Sequence, residues 1–306
     1  MMFGDRSPQD IDAIVTTMLD AGMRAAGNAV KGGSVIEVIA KDAYDGTVDG
    51  DITTTADLAA QDACEKVRQE QTPWAGVIAE ELGLRVASTL PGGNDAYWTY
   101  DGVDGTKRLE KLLREGQKLN GIATMVAFVY NGRVVAAAIG DIFDPTGPVY
   151  RLRADGGGVE LQRVGGQPVN LGAMHRPTPI TEGGVLVRGR SENYHPLVSG
   201  LLTRLSGKWE PHSNLSIGLS MGRLWADDIV LHVQSPGNHT PWDNTPYDGI
   251  AQALGIVYLR PSEDGTTLEQ FIPPRYLQVT PRPTCVLAMH QSRLSQLRAL
   301  VPVRTL

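Results

Sequence analysis

The sequence predicts an α/β protein of two lobes, an α+β first lobe over residues 1–175 and an α/β second lobe over residues 176–306. Of the 306 residues, 42% are hydrophobic and 20% are charged, so the chain can bury a sizeable core. The first part combines helical patterns with apolar runs joined by tight turns, and the second part alternates apolar runs with helical patterns. The lobes are expected to meet near residues 172–182.

Helical patterns open the first lobe. Ser7 is a suitable N-cap before Pro8, and apolar residues then recur at helical spacing as far as a Gly-Gly pair at residues 32–33. The short apolar run over residues 35–39 predicts a strand. A second helix is expected from Asp57.

The strands of the first lobe are indicated by apolar runs and turn residues. Two short runs, over residues 76–79 and 97–100, each end in acidic residues. Asn131-Gly132 lies between apolar runs at 122–130 and 133–139, which favours a two-residue hairpin turn. A glycine-rich segment at 155–158 predicts a further hairpin turn.

In the second lobe the patterns predict strands and helices in alternation. The predicted strands cover residues 184–187, 228–233 and 284–289. The predicted helices cover residues 191–205, 216–224 and 243–254, with a last helix from about residue 292.

Charge and cysteine content argue against several classes of protein. With 28 Lys+Arg against 34 Asp+Glu the net charge is −6, which argues against binding a nucleic acid polymer or an anionic membrane. No stretch approaches the roughly 18 apolar residues of a membrane span, and the first residues lack a secretion signal, so a cytoplasmic location is expected. Cys64 and Cys285 lie far apart, which excludes a disulfide framework and a cysteine-built zinc site.

Acidic residues are grouped where apolar runs end or predicted helices begin. The groups are Glu80-Glu81, the string from Asp101 to Thr106, and Trp242-Asp243, and Asp57 at the head of its helix is a fourth candidate. Carboxylates that share one cleft repel one another, and cations between them make the arrangement tolerable. Mg²⁺ prefers such oxygen ligands and leaves positions for water and substrate phosphate.

The string Asp-Gly-Val-Asp-Gly-Thr at residues 101–106 combines two carboxylates with the start of a predicted helix. Asp101 and Asp104 flank an expected tight turn, so both side chains and the Val103 carbonyl could face one metal. Gly105-Thr106 begins a predicted helix, whose free N–H groups and dipole favour phosphate. The chemistry indicated is metal-assisted attack of water on a phosphate ester. Alone, the string also fits a surface turn with a helix cap, so the prediction depends on the whole ordered set.

That ordered set resembles the motifs of the inositol monophosphatase superfamily, which comprises Mg²⁺-dependent, lithium-sensitive phosphatases. The matching segments are Thr54-Thr55-Ala56-Asp57, Ala79-Glu80-Glu81, the string at 101–106 and Trp242-Asp243. The similarity extends from about residue 10 to the last predicted helix. The resemblance implies a layered αβαβα sandwich with a cleft between its two lobes, and a homodimer.

The resemblance also implies a metal site with two or three Mg²⁺ ions, or Mn²⁺ in their place. The activating ion would be bound by Glu80, Asp101 and the Val103 carbonyl. A second ion would be bound by Asp101, Asp104 and Asp243.

Catalytic roles follow from the same resemblance. Thr106 with Asp57 would orient and deprotonate the attacking water, and Glu80 would assist. The amides of Gly105 and Thr106 would hold the phosphate.

Departures from the family pattern concern substrate recognition. Gly102 replaces the usual proline and is expected to make the turn more flexible. A lysine after Asp-Gly-Thr, here Lys107, resembles the branch of the family that acts on adenosine 3′,5′-bisphosphate. Residues 244–248 replace the glycine-rich start of the helix after Trp-Asp. Residues 235–239 lack the family's acidic residue that contacts a substrate hydroxyl. The expected substrate is therefore a small phosphorylated polyol, sugar or nucleotide. Adenosine 3′,5′-bisphosphate or fructose 1,6-bisphosphate phosphatase activity is an alternative, as is a non-catalytic anion-binding regulator.

Three further patterns have simpler interpretations. The Gly-Leu-Ser-Met-Gly segment at 218–222 fits a nucleophile elbow but lacks a buried strand before it, so it favours close helix packing. His232 and His239 with Asp243 match no metal-binding spacing. Lys107-Arg108 is either a solvated helix face or a site for a second anionic group of the substrate.

Overall fold

The structure is a computed structural model. It describes residues 2–31, 38–40, 52–91, 95–163, 165–174, 176, 178–189, 191–205, 209–211, 215–273 and 278–305. Within these ranges no helix has the length and apolar character needed to cross a membrane. The strand predicted over residues 35–39 lies mostly outside them.

The helices of the described residues fall near the predicted positions. They are α1 (Pro8–Lys31), α2 (Thr55–Gln71), α3 (Thr106–Arg114), α4 (Pro196–Arg204), α5 (Ile217–Trp225), α6 (Pro241–Ala253) and α7 (Leu294–Arg298). Short 3₁₀ turns occupy Glu81–Gly83, Leu171–Ala173, Ser191–Asn193 and Gln291–Arg293.

The strands of the described segments form two large sheets and two small ones. The first ten strands are β1 (Val38–Ala40), β2 (Ile52–Thr54), β3 (Gly76–Ala79), β4 (Arg85–Val86), β5 (Ala96–Asp104), β6 (Ala123–Tyr130), β7 (Arg133–Asp141), β8 (Val149–Leu152), β9 (Val159–Gln162) and β10 (Val169–Asn170). The others are β11 (Val185–Arg188), β12 (Trp209–Pro211), β13 (Leu231–Gln234), β14 (Gly237–His239), β15 (Ile256–Pro261), β16 (Leu268–Phe271), β17 (Thr280–Arg282), β18 (Val286–His290) and β19 (Val303–Arg304).

The first large sheet has the order β10-β9-β8-β7-β6-β5-β3-β4, and the second has the order β12-β11-β13-β18-β15-β16-β19. In the first sheet β3 and β5 are parallel, so both deliver their carboxyl ends to the same edge. The first sheet ends at residue 170 and the second begins at residue 185, so the proposed lobe boundary at 175 falls between them. The small sheets pair β1 with β2 and β14 with β17.

The two large sheets and the helices stack in five layers. Helices α1 and α2 pack on one face of the first sheet through a core that includes Ile14, Trp98 and Phe128. Helices α5 and α6 lie between the sheets, where Met221 and Ile250 share one core with both. Helices α4 and α7 cover the outer face of the second sheet. The α/β class and the αβαβα layering are thus confirmed.

Local sequence signals correctly predicted where several elements begin or turn. Helix α1 begins at Pro8, with Ser7 accepting a hydrogen bond from the Asp10 amide at 3.2 Å. At the β6–β7 turn, Asn131 and Gly132 have φ values of 47° and 70°, which are the left-handed values that this hairpin turn requires.

Two predictions about local structure are wrong. The tight turn expected between Asp101 and Asp104 is instead the end of strand β5, which continues to Asp104 with an irregular register between these two residues. The helix predicted over 191–205 is a 3₁₀ turn followed by α4 from Pro196, because proline fits the first turn of a helix and not its interior.

Gly102 is a point of close packing, which the sequence did not reveal; the expected flexibility of this position stays a prediction. A Cβ added there would lie 2.8 Å from Cβ of Ala60 and 3.0 Å from the Asp57 carbonyl oxygen, both on α2. Glycine therefore lets strand β5 approach the start of α2 closely, which positions Asp101 beside that helix.

We expect Gly102→Ala to destabilise the protein by about 1–3 kcal/mol, because β5 and α2 must move apart to admit the methyl group. Denaturant unfolding monitored by circular dichroism measures the change. Gly27→Ala is the matched control, since a Cβ at Gly27 in α1 meets no atom within 4 Å. It should leave stability unchanged or raise it by up to about 1 kcal/mol. Equal stability of both variants would contradict the packing explanation.

Candidate active site

A cavity of about 260 Å³ opens where the carboxyl ends of β3 and β5 meet the starts of α3 and α6. Ala79 pairs with Tyr100 in the parallel ladder, so Glu80 and Asp101 are the next residues on neighbouring strands. Every predicted site residue lines this cavity except Asp57, which is fully buried behind it. The sheet and helix ends thus bring together residues that are far apart in the sequence.

Three carboxylates form a cluster in the cavity. One oxygen from each of Glu80, Asp101 and Asp243 lies within 4.8 Å of the other two. Gln61 on α2 fixes the backbone of Glu81, the residue after Glu80. Its side chain accepts a hydrogen bond from the Glu81 amide at 2.8 Å and donates one to the Glu81 carbonyl at 3.0 Å, which positions Glu80. Asp243 is in the first turn of α6, where its Oδ2 accepts from the Thr240 hydroxyl at 2.5 Å.

The cluster is electrostatically unfavourable by itself. Burial, followed by the charge of Glu80 and of Asp243, raises the pKa of Asp101 well above its ordinary value. Burial, followed by the charge of Asp104 and of Glu80, raises the pKa of Asp243 to about 7. A divalent cation would relieve this repulsion, and an all-oxygen donor set is the kind that Mg²⁺ and similar ions prefer. The residues therefore fit a metal site.

Asp104 lines the same cavity but lies outside the three-carboxylate cluster found among the described residues. Its Oδ2 accepts hydrogen bonds from the Ser216 hydroxyl at 2.5 Å and the Gly218 amide at 3.1 Å. Burial raises the pKa of Asp104, while the charge of Arg188 opposes that change. Sequence reasoning missed Ser216, which only the contact between α5 and the end of β5 reveals.

Asp57 and Thr106 form a hydrogen-bonded pair at the edge of the cavity. The Thr106 hydroxyl lies 2.7 Å from Asp57 Oδ1 and 2.9 Å from the Val103 carbonyl oxygen. Asp57 Oδ2 accepts from the Thr54 amide at 2.9 Å and from the Thr54 hydroxyl, so Asp57 also caps α2. Burial raises the pKa of Asp57 to about 6, against the effect of these hydrogen bonds. At neutral pH the carboxylate is therefore a proton acceptor for Thr106.

The start of α3 faces the same cavity through Gly105 and Thr106. Gly105 precedes the helix with a φ of 108°, a left-handed value that favours glycine. The first amides of a helix have no acceptor within the helix, and their dipoles favour an anion. The arrangement can therefore bind a phosphate next to the carboxylates.

Two arginines that sequence reasoning missed line an adjoining cavity of about 280 Å³, which shares Asp104, Arg188 and Asp243 with the first. Arg188 ends strand β11, and Arg282 ends strand β17. Arg188 follows an apolar run, as the acidic candidates do, so the same pattern indicates it. Arg282 lies between two prolines and no local pattern indicates it.

The alternative motifs have structural roles. Ser220 lies inside helix α5, not on a turn after a strand, and its hydroxyl donates to the Ile217 carbonyl at 2.9 Å. His232 is buried with its Nε2 3.3 Å from the Ser220 hydroxyl, and Nδ1 of His239 lies 2.9 Å from the Asn244 amide nitrogen. Neither histidine belongs to the carboxylate cluster. The elbow and the histidine metal site therefore have no support.

Comparison with known proteins agrees with this geometry. The family model described as the inositol monophosphatase family matches residues 15–297. No curated protein sequence matches the chain.

Solved structures share the fold across nearly the whole chain. An IMPase/NADP phosphatase complexed with Mg²⁺ and phosphate is 15% identical with a TM-score of 0.66, and 96% of this chain and 95% of that chain are covered. A staphylococcal inositol monophosphatase-1 soaked in LiCl is 16% identical with a TM-score of 0.66, with the same coverage of 96% and 95%. The extragenic suppressor protein suhB from Bartonella henselae is 15% identical with a TM-score of 0.64, with 94% and 98% covered.

Proposed function

Because the chain belongs to the inositol monophosphatase family, we propose that it is a Mg²⁺-dependent phosphomonoesterase that hydrolyses a small phosphorylated polyol, sugar or nucleotide. The family match makes it a phosphatase of this superfamily, and the proposal concerns its mechanism and its substrate. The observation that carries the proposal is the cluster of Glu80, Asp101 and Asp243 in a cavity that also contains the start of α3.

The metal ligands are proposed from the residues that face the cavity. Glu80, Asp101 and the Val103 carbonyl would hold one Mg²⁺ ion, and Asp101, Asp104 and Asp243 would hold a second. When bound, Mg²⁺ neutralises charge on the phosphate and makes water a stronger acid. Ser216 and Gly218 fix one oxygen of Asp104, which leaves its other oxygen for a ligand role.

The protein's own groups would orient the water and the phosphate. Thr106 accepts a proton from the attacking water while its own hydroxyl proton passes to Asp57 Oδ1, 2.7 Å away. Asp57 can accept that proton because its other oxygen is fixed by Thr54 and its burial raises its proton affinity. The first amides of α3 hold the phosphate in the position for attack.

Metal removal tests this function. We expect phosphate release from a panel of inositol, sugar and adenosine phosphate esters in Mg²⁺, and its loss in EDTA with recovery when Mg²⁺ is restored. A malachite green assay for inorganic phosphate measures it. Activity that persists in EDTA and disappears with phenylmethylsulfonyl fluoride would contradict the proposal and favour a serine nucleophile.

A further inference from the structure

We propose that the substrate carries a second anionic group, a phosphate or a carboxylate, and that Arg188 and Arg282 bind it beside the reacting phosphate. The inference rests on the proposed function, because the carboxylate cluster and the start of α3 define where the reacting phosphate lies. It narrows the substrate class to esters with two anionic groups.

The two arginines lie within reach of the phosphate site. Arg188 lines both cavities, so a molecule in the first can extend along it into the second. Arg282 lines the second cavity, next to Gln234 and Asn238. The polar side chains that only this cavity adds are Arg282, Gln234, Asn244, Ser235 and Tyr247. Among them the guanidinium is the group that suits an anion better than a hydroxyl group of a polyol.

Within the part of the chain that the structure describes, neither guanidinium forms a close ion pair, although Asp104 and Asp243 line the same cavity. Among the described residues, no ion pair within 4.0 Å includes Arg188 or Arg282. Two buried arginines elsewhere are paired: Arg68 with Glu65 at 2.7 Å, and Arg293 with Asp227. Placing unpaired positive charges in a half-buried cavity costs free energy unless an anion compensates them. A substrate anion would supply that compensation.

The guanidinium of Arg282 is fixed by hydrogen bonds that use only part of its donor set. Its Nε donates to the Ser235 carbonyl at 3.0 Å and its Nη1 donates to Gln234 Oε1 at 3.0 Å. Burial, together with the repulsion of Arg188, lowers the pKa of this guanidinium, although it stays charged at neutral pH. Among the residues that the structure describes, no hydrogen bond uses the other donors of this guanidinium, so they are available for a planar or tetrahedral anion.

Arg188 is positioned by the segment that resembled a nucleophile elbow. Its Nη1 donates to the Ser220 hydroxyl at 3.3 Å, and His232 Nε2 lies 3.3 Å from the same hydroxyl. Burial and the two arginines lower the pKa of His232 well below its ordinary value, so the imidazole is neutral and adds no further positive charge. Ser220 is therefore a positioning residue for Arg188.

Arg108, in the basic pair at the start of α3, is less suited to this role, whereas Lys107 lines the first cavity. The guanidinium of Arg108 is bound to Asn120: its Nε donates to the Asn120 carbonyl at 2.7 Å and its Nη2 donates to Asn120 Oδ1 at 2.5 Å. Of the two interpretations of Lys107-Arg108 from the sequence, the solvated face fits Arg108. The second anionic group is assigned to Arg188 and Arg282 instead.

The test compares matched esters on Arg188→Gln. The pairs are adenosine 3′,5′-bisphosphate with adenosine 5′-phosphate, fructose 1,6-bisphosphate with fructose 1-phosphate, and 3-phosphoglycerate with glycerol 3-phosphate. Wild-type protein should prefer the doubly anionic member of at least one pair, and that pair identifies whether the second group is a phosphate or a carboxylate. Arg188→Gln should raise KM for this member by about 10- to 100-fold, the value of one or two charge-assisted hydrogen bonds. Its KM for the singly anionic member should change less than about threefold.

Two variants control for charge and folding. Arg114→Gln removes the same charge from a side chain on α3 that is 67% exposed and lies outside both cavities, and it should change neither KM. Arg188→Lys should restore part of the preference, because it keeps the charge and loses the fork of donors. Equal effects of Arg188→Gln on both members of the preferred pair, or no preference in the wild-type protein, would overturn the inference.

Failure of the proposed function gives a different result. If no ester releases phosphate, isothermal titration of adenosine 3′,5′-bisphosphate and adenosine 5′-phosphate in Mg²⁺ still tests the arginines. Binding of the bisphosphate that weakens at least about tenfold in Arg188→Gln supports the inference without catalysis. Equal binding of both nucleotides to both proteins would overturn it.

Discussion

The substitution Asp101→Asn is expected to abolish Mg²⁺-dependent phosphate release, lowering kcat/KM by about a thousandfold or more. The same change should raise the melting temperature of the metal-free protein at pH 8 by about 2–4 °C, the shift that ~1 kcal/mol produces in a large domain. Asp101 is 2% exposed and faces Glu80 and Asp243, so its negative charge is unfavourable without a cation. Activity and stability therefore change in opposite directions.

The sign of the stability change follows from proton linkage. The folded-state pKa of Asp101 is raised, so the folded protein loses stability as pH increases above the ordinary carboxyl value. Asparagine has nearly the same shape as aspartate and does not ionise. Asp101→Asn should therefore be more stable than the wild-type protein at pH 8 and equally stable at pH 3.

Phosphate release and differential scanning calorimetry in EDTA measure the two effects. Asp10→Asn is the matched control, because Asp10 lies in the first turn of α1 outside the active-site cavities, and hydrogen bonds from the Ser7 hydroxyl and amide lower its pKa, so its charge does not oppose folding. It should retain activity and gain no stability. An active Asp101→Asn enzyme would contradict the metal-ligand assignment, and a strongly destabilised one would mean that Asp101 has a structural role.

Replacing the Thr106 hydroxyl is expected to have the second-largest effect. Thr106→Val keeps the shape of the side chain and should lower kcat by about 10²–10⁴-fold, since it removes the hydroxyl between the water and Asp57. Mg²⁺ affinity should be unchanged, because Val103 and the carboxylates supply the proposed ligands. Thr106→Ser keeps the hydroxyl and is the matched control, which should retain most of the activity.

The pH profile distinguishes this role from a packing defect. Asp57 must be ionised to accept the proton, and burial raises its pKa to about 6, so wild-type kcat/KM at saturating Mg²⁺ should fall as pH decreases through about 6. Thr106→Ser should keep this acidic limb. The residual activity of Thr106→Val should show no limb near pH 6. A Thr106→Val enzyme with normal kcat would contradict the proposed proton transfer.

Much of the fold follows from local signals that tertiary packing does not alter. The hairpin at Asn131-Gly132 depends on left-handed conformations that these two residues tolerate, and α1 begins where Ser7 and Pro8 predict it. The wrong predictions about local structure occur where tertiary packing determines the backbone conformation. At residue 102 the sequence suggested a tight turn, but contact with Ala60 on α2 makes glycine necessary for a close approach.

For the candidate site, the sequence determined the acidic residues and their order along the chain, because carboxylates at strand ends and helix starts form a recognisable pattern. Tertiary structure decided which of them meet: Glu80, Asp101 and Asp243 cluster, while Asp104 turns toward Ser216 and Gly218. It also placed Arg188 and Arg282 on one cavity, although they are distant in sequence. The spacing of residues along the chain indicates local geometry only. A cavity between layers is lined by side chains from strands and helices that are distant in sequence, so their proximity depends on tertiary packing.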